Sequence, residues 1–296
     1  MGELLCRSIV MKSKNLGILF IICSAFFFAL MNLFVKLAGD VPTMQKAFFR
    51  NAVAVFFSFF FLVKDKRNFM LPKGSMKYVL VRSIAGTAGV VCNFYAIGHL
   101  PIADASILNK LSPFFAIVFS YFALKERPTK LDWIAVAIAF IGALFVMKPT
   151  LSVQAIPAIS GLLGGLGAGL AYTFLRKATS AGVKGPFIVF FFSLFSCVVL
   201  SPALIFDYHP MTTFQLVSLI LSGVSATGGQ FFITAAYAKA PAKEISIYDY
   251  TIVLFTALLG FFFLDETPDL LSLLGYAIII GISVFKWLYT RRNHKN

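Results

Sequence analysis

Apolar residues are concentrated in ten long runs that are separated by short polar connections. A helix needs about 20 apolar residues to cross roughly 30 Å of hydrocarbon, and each run approaches that length. The runs cover residues 16–38, 44–63, 76–98, 103–124, 131–147, 156–175, 186–206, 214–237, 244–264 and 270–289. No connection is long enough to form a separate domain. The pattern therefore predicts an all-α integral membrane protein with ten transmembrane helices.

The two halves of the chain match each other without a gap at an offset of 140 residues. Pro101 aligns with Pro241, and Glu126 aligns with Glu266. Each half holds five predicted helices, and because five is odd, the second half must enter the membrane from the opposite side. The predicted units are a cytoplasmic N-terminal segment (1–15), a first five-helix repeat (16–149), a second, inverted five-helix repeat (156–289) and a cytoplasmic tail (290–296). Inverted repeats of this kind are typical of secondary transporters.

The distribution of charge gives an orientation. With 59% hydrophobic and 13% charged residues and a mean hydropathy of +0.87, most of the chain must have lipid as its solvent. The net charge of +14 then reflects the placement of lysine and arginine at cytoplasmic helix ends rather than a nucleic-acid partner. The basic residues outside this pattern are Lys36, Lys46 and Lys148 on the opposite side, and Arg50, Arg82 and Lys110 within the spans. We expect both termini in the cytoplasm and, from the short loops, a bacterial inner membrane.

Residues that would support catalysis or bind a metal are scattered. The four cysteines have no C-x-x-C spacing, and the three histidines lie on loops and the tail. No Walker-type glycine loop precedes a Lys-Ser or Lys-Thr pair. We therefore expect no cofactor, no metal and no enzymatic activity, and the expected partners are the lipid bilayer and a small-molecule substrate.

Both halves contain a segment with a recognisable signature. The segments are YAIGHLPIADASILNKLSPFFAIVFSYFALKERPTKLDWIAVAIAFIGALFVMKP, from Tyr95 to Pro149, and AYAKAPAKEISIYDYTIVLFTALLGFFFLDETPDLLSLLGYAIIIGISVF, from Ala236 to Phe285. Each resembles the half-repeat of the EamA branch of the drug/metabolite transporter superfamily. The resemblance includes a lysine that ends the first helix and Arg50 within AFFRNAVAV. It implies a ten-helix carrier for a metabolite, and it leaves open which of the family's amino acids, nucleotide-linked sugars, drugs or other metabolites is moved. Phe190 occupies the position of Arg50 in the second copy, so the two halves differ chemically.

Glu126 and Glu266 are the most recognisable repeated pair. Each lies where one predicted helix ends and the next begins, two residues before a proline. A carboxylate at such a position meets free N–H groups and the positive end of a helix. We interpret both as structural hairpin residues, and direct proton coupling is the alternative.

Charged residues inside the spans carry more functional information, because burying a charge in hydrocarbon is costly unless it is paired or faces water. Arg50 lies about 10 Å along the second helix at 1.5 Å per residue, and Lys110 lies at a similar depth in the fourth. Asp249 enters the ninth helix from the inside and is also a candidate coupling residue. Arg82 is nearer the inner end of the third helix, where we expect it to extend to lipid phosphates; a place in the cavity beside Arg50 and Lys110 is the alternative.

Polar residues recur on one face of the fourth and ninth helices. Spacings of i, i+3, i+4 and i+7 relate Ser106, Asn109, Lys110 and Pro113, and their repeat mates are Ser246, Asp249, Tyr250 and Val253. Further polar residues on other spans are Asn32, Asn93, Tyr95, Tyr172 and Gln230. Each alone is explained by an interhelical hydrogen bond, and together they predict one central substrate-binding cavity. Pro113 removes a helix bond and is the predicted hinge.

These features favour a secondary active transporter that works by alternating access. Arg50 and Lys110 outnumber Asp249, so the predicted substrate is anionic or zwitterionic: amino-acid-like, an organic acid or nucleotide-like. A coupling proton or a counter-substrate would drive the cycle. The main alternative is an exporter of lipophilic or cationic drug-like compounds, in which Asp249 and aromatic side chains form the site. A channel shares the same repeat, and a membrane-embedded enzyme lacks a nucleophile with a base.

Overall fold

The chain forms long helices in the computed structural model, which describes residues 2–64, 69, 71–124, 128–147, 155–206, 208–239 and 246–293. No strand occurs within those ranges. The helices are α1 (Gly2–Leu37), α2 (Thr43–Val63), α3 (Met76–His99), α4 (Ile102–Asn109), α5 (Ser112–Leu124), α6 (Lys130–Met147), α7 (Ala155–Ser180), α8 (Gly185–Phe206), α9 (Thr213–Lys239), α10 (Thr251–Leu264) and α11 (Leu270–Asn293). A 3₁₀ turn, Ser246–Tyr250, leads directly into α10.

Ten membrane crossings account for these helices. Eight segments of the described chain are long and apolar enough to span a bilayer. The 3₁₀ turn and α10 together make a shorter apolar crossing, and α6, with 18 residues, makes the remaining one. Large apolar side chains such as Phe60, Phe206 and Phe262 are exposed on the outside of the bundle, as expected of a lipid-facing surface. The prediction of an all-α membrane protein with ten transmembrane helices is confirmed.

The fourth crossing is not the continuous helix that the sequence predicts. It consists of α4 and α5, and the helix is interrupted at Lys110 and Leu111. Pro113 has no N–H to bond to the carbonyl of Asn109, so the chain tightens locally: Leu111 N bonds to Leu108 O at 3.2 Å and Phe114 N to Leu111 O at 2.9 Å. The ninth crossing changes from a 3₁₀ turn to an α-helix at Tyr250, which is the repeat mate of Lys110.

The helices pack in pairs that the repeat relates. The most extensive contacts join α3 to α7 and α1 to α9, which are equivalent pairs in the two halves, and α2 and α6 pack on their own mates, α8 and α11. Small residues allow the backbones to approach closely. A Cβ atom added to Gly167 of α7 would lie 2.8 Å from the Cα of Gly89 on α3. In the equivalent pair, Ser24 of α1 donates a hydrogen bond of 2.8 Å to the carbonyl of Gly229, the mate of Gly89. The halves are therefore interleaved rather than side by side.

Candidate functional site

A polar cavity with a volume of about 120 Å³ lies where the two repeats meet. Its walls come from the first three helices, the interrupted fourth crossing and the equivalent elements of the second repeat. The predicted site residues that line it are Asn32, Arg50, Asn93, Ser106, Asn109, Lys110, Tyr172 and Gln230. Asn32 donates from Nδ2 to the Ser106 hydroxyl at 2.9 Å, while its Oδ1 and the Oδ1 of Asn93 are buried without a hydrogen-bond partner.

The two helix interruptions contact each other beside this cavity. Lys110 forms a largely buried ion pair, with a short hydrogen bond, to Oδ2 of Asp249. The Tyr250 hydroxyl donates to the Lys110 carbonyl at 3.1 Å, which satisfies a backbone acceptor at the break in the fourth crossing. Asp249 and Tyr250 therefore do not line the cavity themselves. They contact Lys110, which does. Oδ1 of Asp249 remains buried without a partner.

Arg50 and Arg82 are the cavity's other two basic residues. They are 4% and 7% exposed, and their Cζ atoms lie 5.9 and 3.8 Å from the ring centroid of Phe192, so both guanidinium groups lie over the same ring. Arg50 donates from Nη1 to Oδ1 of Asn51 at 2.8 Å. Nε of Arg50 and both Nε and Nη1 of Arg82 have no hydrogen-bond partner, and neither residue forms an ion pair with a carboxylate in the described ranges.

Arg82 corrects one expectation from the sequence. It does not extend to the membrane surface but points into the cavity. The signal was present in the spacing: Arg82, Gly86, Gly89 and Asn93 lie at i, i+4, i+7 and i+11, share one face of α3 and all line the cavity. A Cβ atom on Gly86 would lie 2.9 Å from the Phe192 ring, so this glycine makes room for the ring that both guanidinium groups contact.

Some predicted residues lie elsewhere. Tyr95 is outside the cavity, with its ring 4.3 Å from that of His99. Pro113 is exposed and is the second residue of α5, so it lies beyond the interruption and the polar face of α4 does not continue to it. Ser246 begins the 3₁₀ turn, and its side chain is outside the described part of the structure. The hinge role of Pro113 stays a prediction.

Glu266 lies between α10 and α11 and contacts the end of α1 and the start of α4. The predicted topology places this end of the bundle outside the cell. Its Oε2 accepts a hydrogen bond of 2.7 Å from the backbone N–H of Ile102, the first residue of α4. Its Oε1 lies 3.1 Å from Nζ of Lys36, which also donates to the Leu100 carbonyl at 2.7 Å. The carboxylate thus meets a free helix N–H, although the helix belongs to the other repeat and not to its own hairpin. Glu126 lies outside the described residues.

Comparison with known proteins identifies the family. The profile of the EamA-like transporter family matches residues 15–148 and 155–286. The pseudopaline exporter CntI of Pseudomonas aeruginosa is 34% identical over 268 residues, which cover 89% of this chain and 93% of the exporter. A riboflavin transporter of Rhizobium johnstonii is 28% identical and covers 91% of this chain and 90% of its own length. Human solute carrier family 35 member G1 is 24% identical, with coverages of 92% and 80%.

The fold is also found among solved structures. One crystal structure superposes with a TM-score of 0.67 over 94% of this chain and 99% of its own, at 16% identity, which shows a shared fold. The family match, the relatives and the ten apolar crossings agree that this is a multi-pass membrane transporter and not an enzyme. The chain belongs to the EamA-like transporter family, within the drug/metabolite transporter superfamily.

Proposed function

We propose that this transporter moves an anionic or zwitterionic metabolite by exposing the central polar cavity alternately to the two sides of the membrane. The proposal places the protein in the bacterial cytoplasmic membrane with both termini inside, in agreement with the positions of its lysine and arginine residues. The names of its relatives include an exporter and a vitamin transporter, which supports a small metabolite as the substrate. We propose export as the direction, because the relative with 34% identity is named an exporter.

The observation that carries the proposal is the pair of buried, incompletely bonded guanidinium groups. Arg50 and Arg82 together leave three buried nitrogen atoms without a hydrogen-bond partner. Leaving such a charge unpaired in a membrane is costly, and a carboxylate or phosphate in the cavity would satisfy it with charge-assisted hydrogen bonds. Asp249 balances Lys110 in this conformation, so the positive charge of the two arginines has no counter-ion within the described residues.

The same geometry argues against a cationic drug as the main substrate. The carboxylate that such a compound needs is paired with Lys110, and two guanidinium groups face the cavity. The unpartnered Oδ1 of Asp249 supports an ammonium group on a substrate that also carries an acidic group: the ammonium would bind Asp249 while the acidic group binds the two arginines. In this proposal Asp249 is also the residue that couples transport to protons. Transport rates that do not change under an imposed pH gradient would contradict that role.

A binding experiment tests the charge assignment. Purified protein in nanodiscs is screened by thermal shift with succinate, glutamate, adenosine monophosphate and tetraphenylphosphonium, since a ligand stabilises the folded state to which it binds. We expect at least one of the three anions to raise the melting temperature of the wild type, and Arg50→Gln and Arg82→Gln to abolish that rise. Arg292→Gln, at an exposed position near the end of α11, is the matched control and should behave as wild type. Stabilisation by tetraphenylphosphonium alone would refute the proposal. The stabilising anion is then tested for counterflow in proteoliposomes.

A further inference from the structure

A second cavity, of about 180 Å³, adjoins the polar one and is almost entirely apolar. It lies between α2, α3, α8 and α9, and we call it the apolar chamber. Its lining includes Ala54, Phe61, Val189, Ala226 and Phe231. Four residues line both cavities and form the wall between them, namely Arg50, Arg82, Phe192 and Gln230. The two incompletely bonded guanidinium groups therefore face an apolar space as well as a polar one.

We propose that the apolar chamber receives a hydrophobic group of the transported anion while its acidic group binds Arg50 and Arg82. The inference rests on the proposed function and makes its substrate class narrower: an amphipathic carboxylate or phosphate rather than a fully polar one. The acidic group sits at the shared wall, the polar remainder lies toward Lys110, and the hydrophobic group lies in the chamber.

The size of the chamber limits that hydrophobic group. An apolar protein cavity of about 150 Å³ holds one benzene molecule, so a chamber of about 180 Å³ fits a single aromatic ring or a short branched alkyl group. The space exists because Ala54 and Ala226 present only methyl groups from α2 and α9. A larger ring system does not fit beside Phe61 and Phe231 without moving the helices.

Of the three hydroxyl groups in the chamber lining, two are hydrogen-bonded within their own helices. Ser58 donates to the carbonyl of Ala54 at 2.6 Å, and Thr227 donates to the carbonyl of Gly223 at 2.8 Å, so both are satisfied by their own helices. Ser193 differs, because it is 1% exposed and its hydroxyl has no hydrogen-bond partner. It gives the chamber one polar contact, which suits a ring with a single hydroxyl or carbonyl substituent.

The chemistry of the wall distinguishes a substrate from a membrane lipid. A neutral acyl chain in the chamber would leave Nε of Arg50 and both Nε and Nη1 of Arg82 unsatisfied, whereas an anion with an attached hydrophobic group satisfies them and fills the space. We therefore assign the chamber to the substrate. The experiment below also detects the other case, in which a lipid acyl chain occupies the chamber.

Matched ligand pairs test this inference. Dissociation constants for succinate and 2-benzylsuccinate, and for alanine and phenylalanine, are measured by calorimetry on purified protein in nanodiscs at up to about 10 mM ligand, since millimolar affinities are measurable there. Burying one ring predicts about tenfold or more tighter binding of the benzyl member of at least one pair. Ala226→Phe should remove this advantage because it fills the chamber, and it should leave the affinity for the small member within about twofold. Ala54→Leu should act in the same way and serves if Ala226→Phe does not fold. Ala137→Phe, on the exposed face of α6, should keep the advantage.

The outcomes separate this inference from the proposed function. Equal affinities within both pairs overturn the inference and leave the anion site in place. An advantage that survives both Ala226→Phe and Ala54→Leu also overturns it. An advantage seen in detergent but absent in nanodiscs means that a lipid acyl chain occupies the chamber in a bilayer, which overturns it as well. If no member of either pair binds, the inference fails, and the thermal-shift screen with succinate, glutamate and adenosine monophosphate decides separately whether the proposed function stands.

Discussion

Glu266→Gln should favour the conformation in which the outer end of the transporter is open. Glu266 holds together the end of α1 through Lys36 and the start of α4 through Ile102. Glu266 belongs to the second repeat, whereas α1 and α4 belong to the first. The two repeats must separate at this point if the cavity is to open on that side. The substitution keeps the size of the side chain and the carbonyl that accepts from Ile102, but it removes the negative charge.

The magnitude follows from the geometry. At the 3.1 Å separation of Nζ and Oε1, Coulomb's law with an effective dielectric constant of about 20 gives roughly 5 kcal/mol before desolvation. The two side chains are 20% and 17% exposed, so desolvation and lost side-chain entropy offset much of this attraction. A net value of about 2 kcal/mol is typical of a hydrogen bond to a charged group. It corresponds to a change of about 30-fold in the ratio of closed to open conformations.

Cysteine accessibility measures this ratio. Asn109→Cys places a thiol in the cavity wall, in a background where the native cysteines are replaced by serine, and a membrane-impermeant maleimide is added from outside. We expect Glu266→Gln and Lys36→Met each to raise the labelling rate by up to about 30-fold, and the double variant to add little because both break one interaction. Asp265→Asn is the matched control, since this neighbouring carboxylate is exposed and belongs to no ion pair that the structure describes. Labelling that is unchanged in Glu266→Gln would refute the reasoning.

The repeat supplies a counterpart for the opposite end. The offset of 140 residues places Arg176 at the position of Lys36 and Glu126 at the position of Glu266. Alternating access requires that the two ends close in turn, so Glu126→Gln should lower labelling of the thiol introduced by Asn109→Cys from outside and raise it from the cytoplasmic side, the reverse of Glu266→Gln. If labelling changed in the same direction in both variants, Glu126 and Glu266 would not be closing opposite ends of the transporter.

Two further predictions concern packing and buried polar contacts. Gly167→Val should cost about 1–3 kcal/mol and lower the melting temperature, because its Cβ would lie 2.8 Å from the facing glycine backbone of α3; Gly281→Val, where no atom lies within 4 Å, should not. Tyr276→Phe should also destabilise the protein by about 1–3 kcal/mol, because it removes the hydroxyl that donates to buried Asp104 at 2.6 Å, whereas exposed Tyr289→Phe should leave the melting temperature unchanged. For each pair, equal melting temperatures of the variant and its control would contradict the corresponding prediction.

Features that depend on a long stretch of sequence were predictable. The ten crossings follow from apolar runs of nearly constant length, and the inverted arrangement follows from the aligned halves and an odd number of helices. The expectation for Arg82 failed because depth along a helix does not tell in which direction a long side chain points. Gly86 and Gly89, which share its face, were the better indicators, since a helix places glycines where another helix or a ring approaches closely.

The helix interruptions were harder to predict because they depend on contacts between the repeats. Pro113 marks one break in the sequence, yet the chain leaves the helix earlier, at Lys110. The mate of Pro113 is Val253, which has no helix-breaking property, and the ninth crossing still changes conformation at Tyr250. The hydrogen bond from Tyr250 to the Lys110 carbonyl and the ion pair from Lys110 to Asp249 join the two breaks. Such pairings across 139 or 140 residues carry no local signal.

The interface between the repeats shows how a duplicated scaffold can carry an asymmetric cavity. Alternating access needs halves that can exchange conformations, and the paired helix contacts and repeated breaks preserve that equivalence. An amphipathic substrate of the proposed kind has no such symmetry, so the residues that would touch it must differ between the halves. The first repeat contributes Arg50 and Arg82, whose mates are Phe190 and Ser222, and the second contributes Phe192, against which both guanidinium groups pack. The backbone thus retains the duplication, while the cavity side chains have diverged, as the proposed binding of an acidic group in one orientation requires.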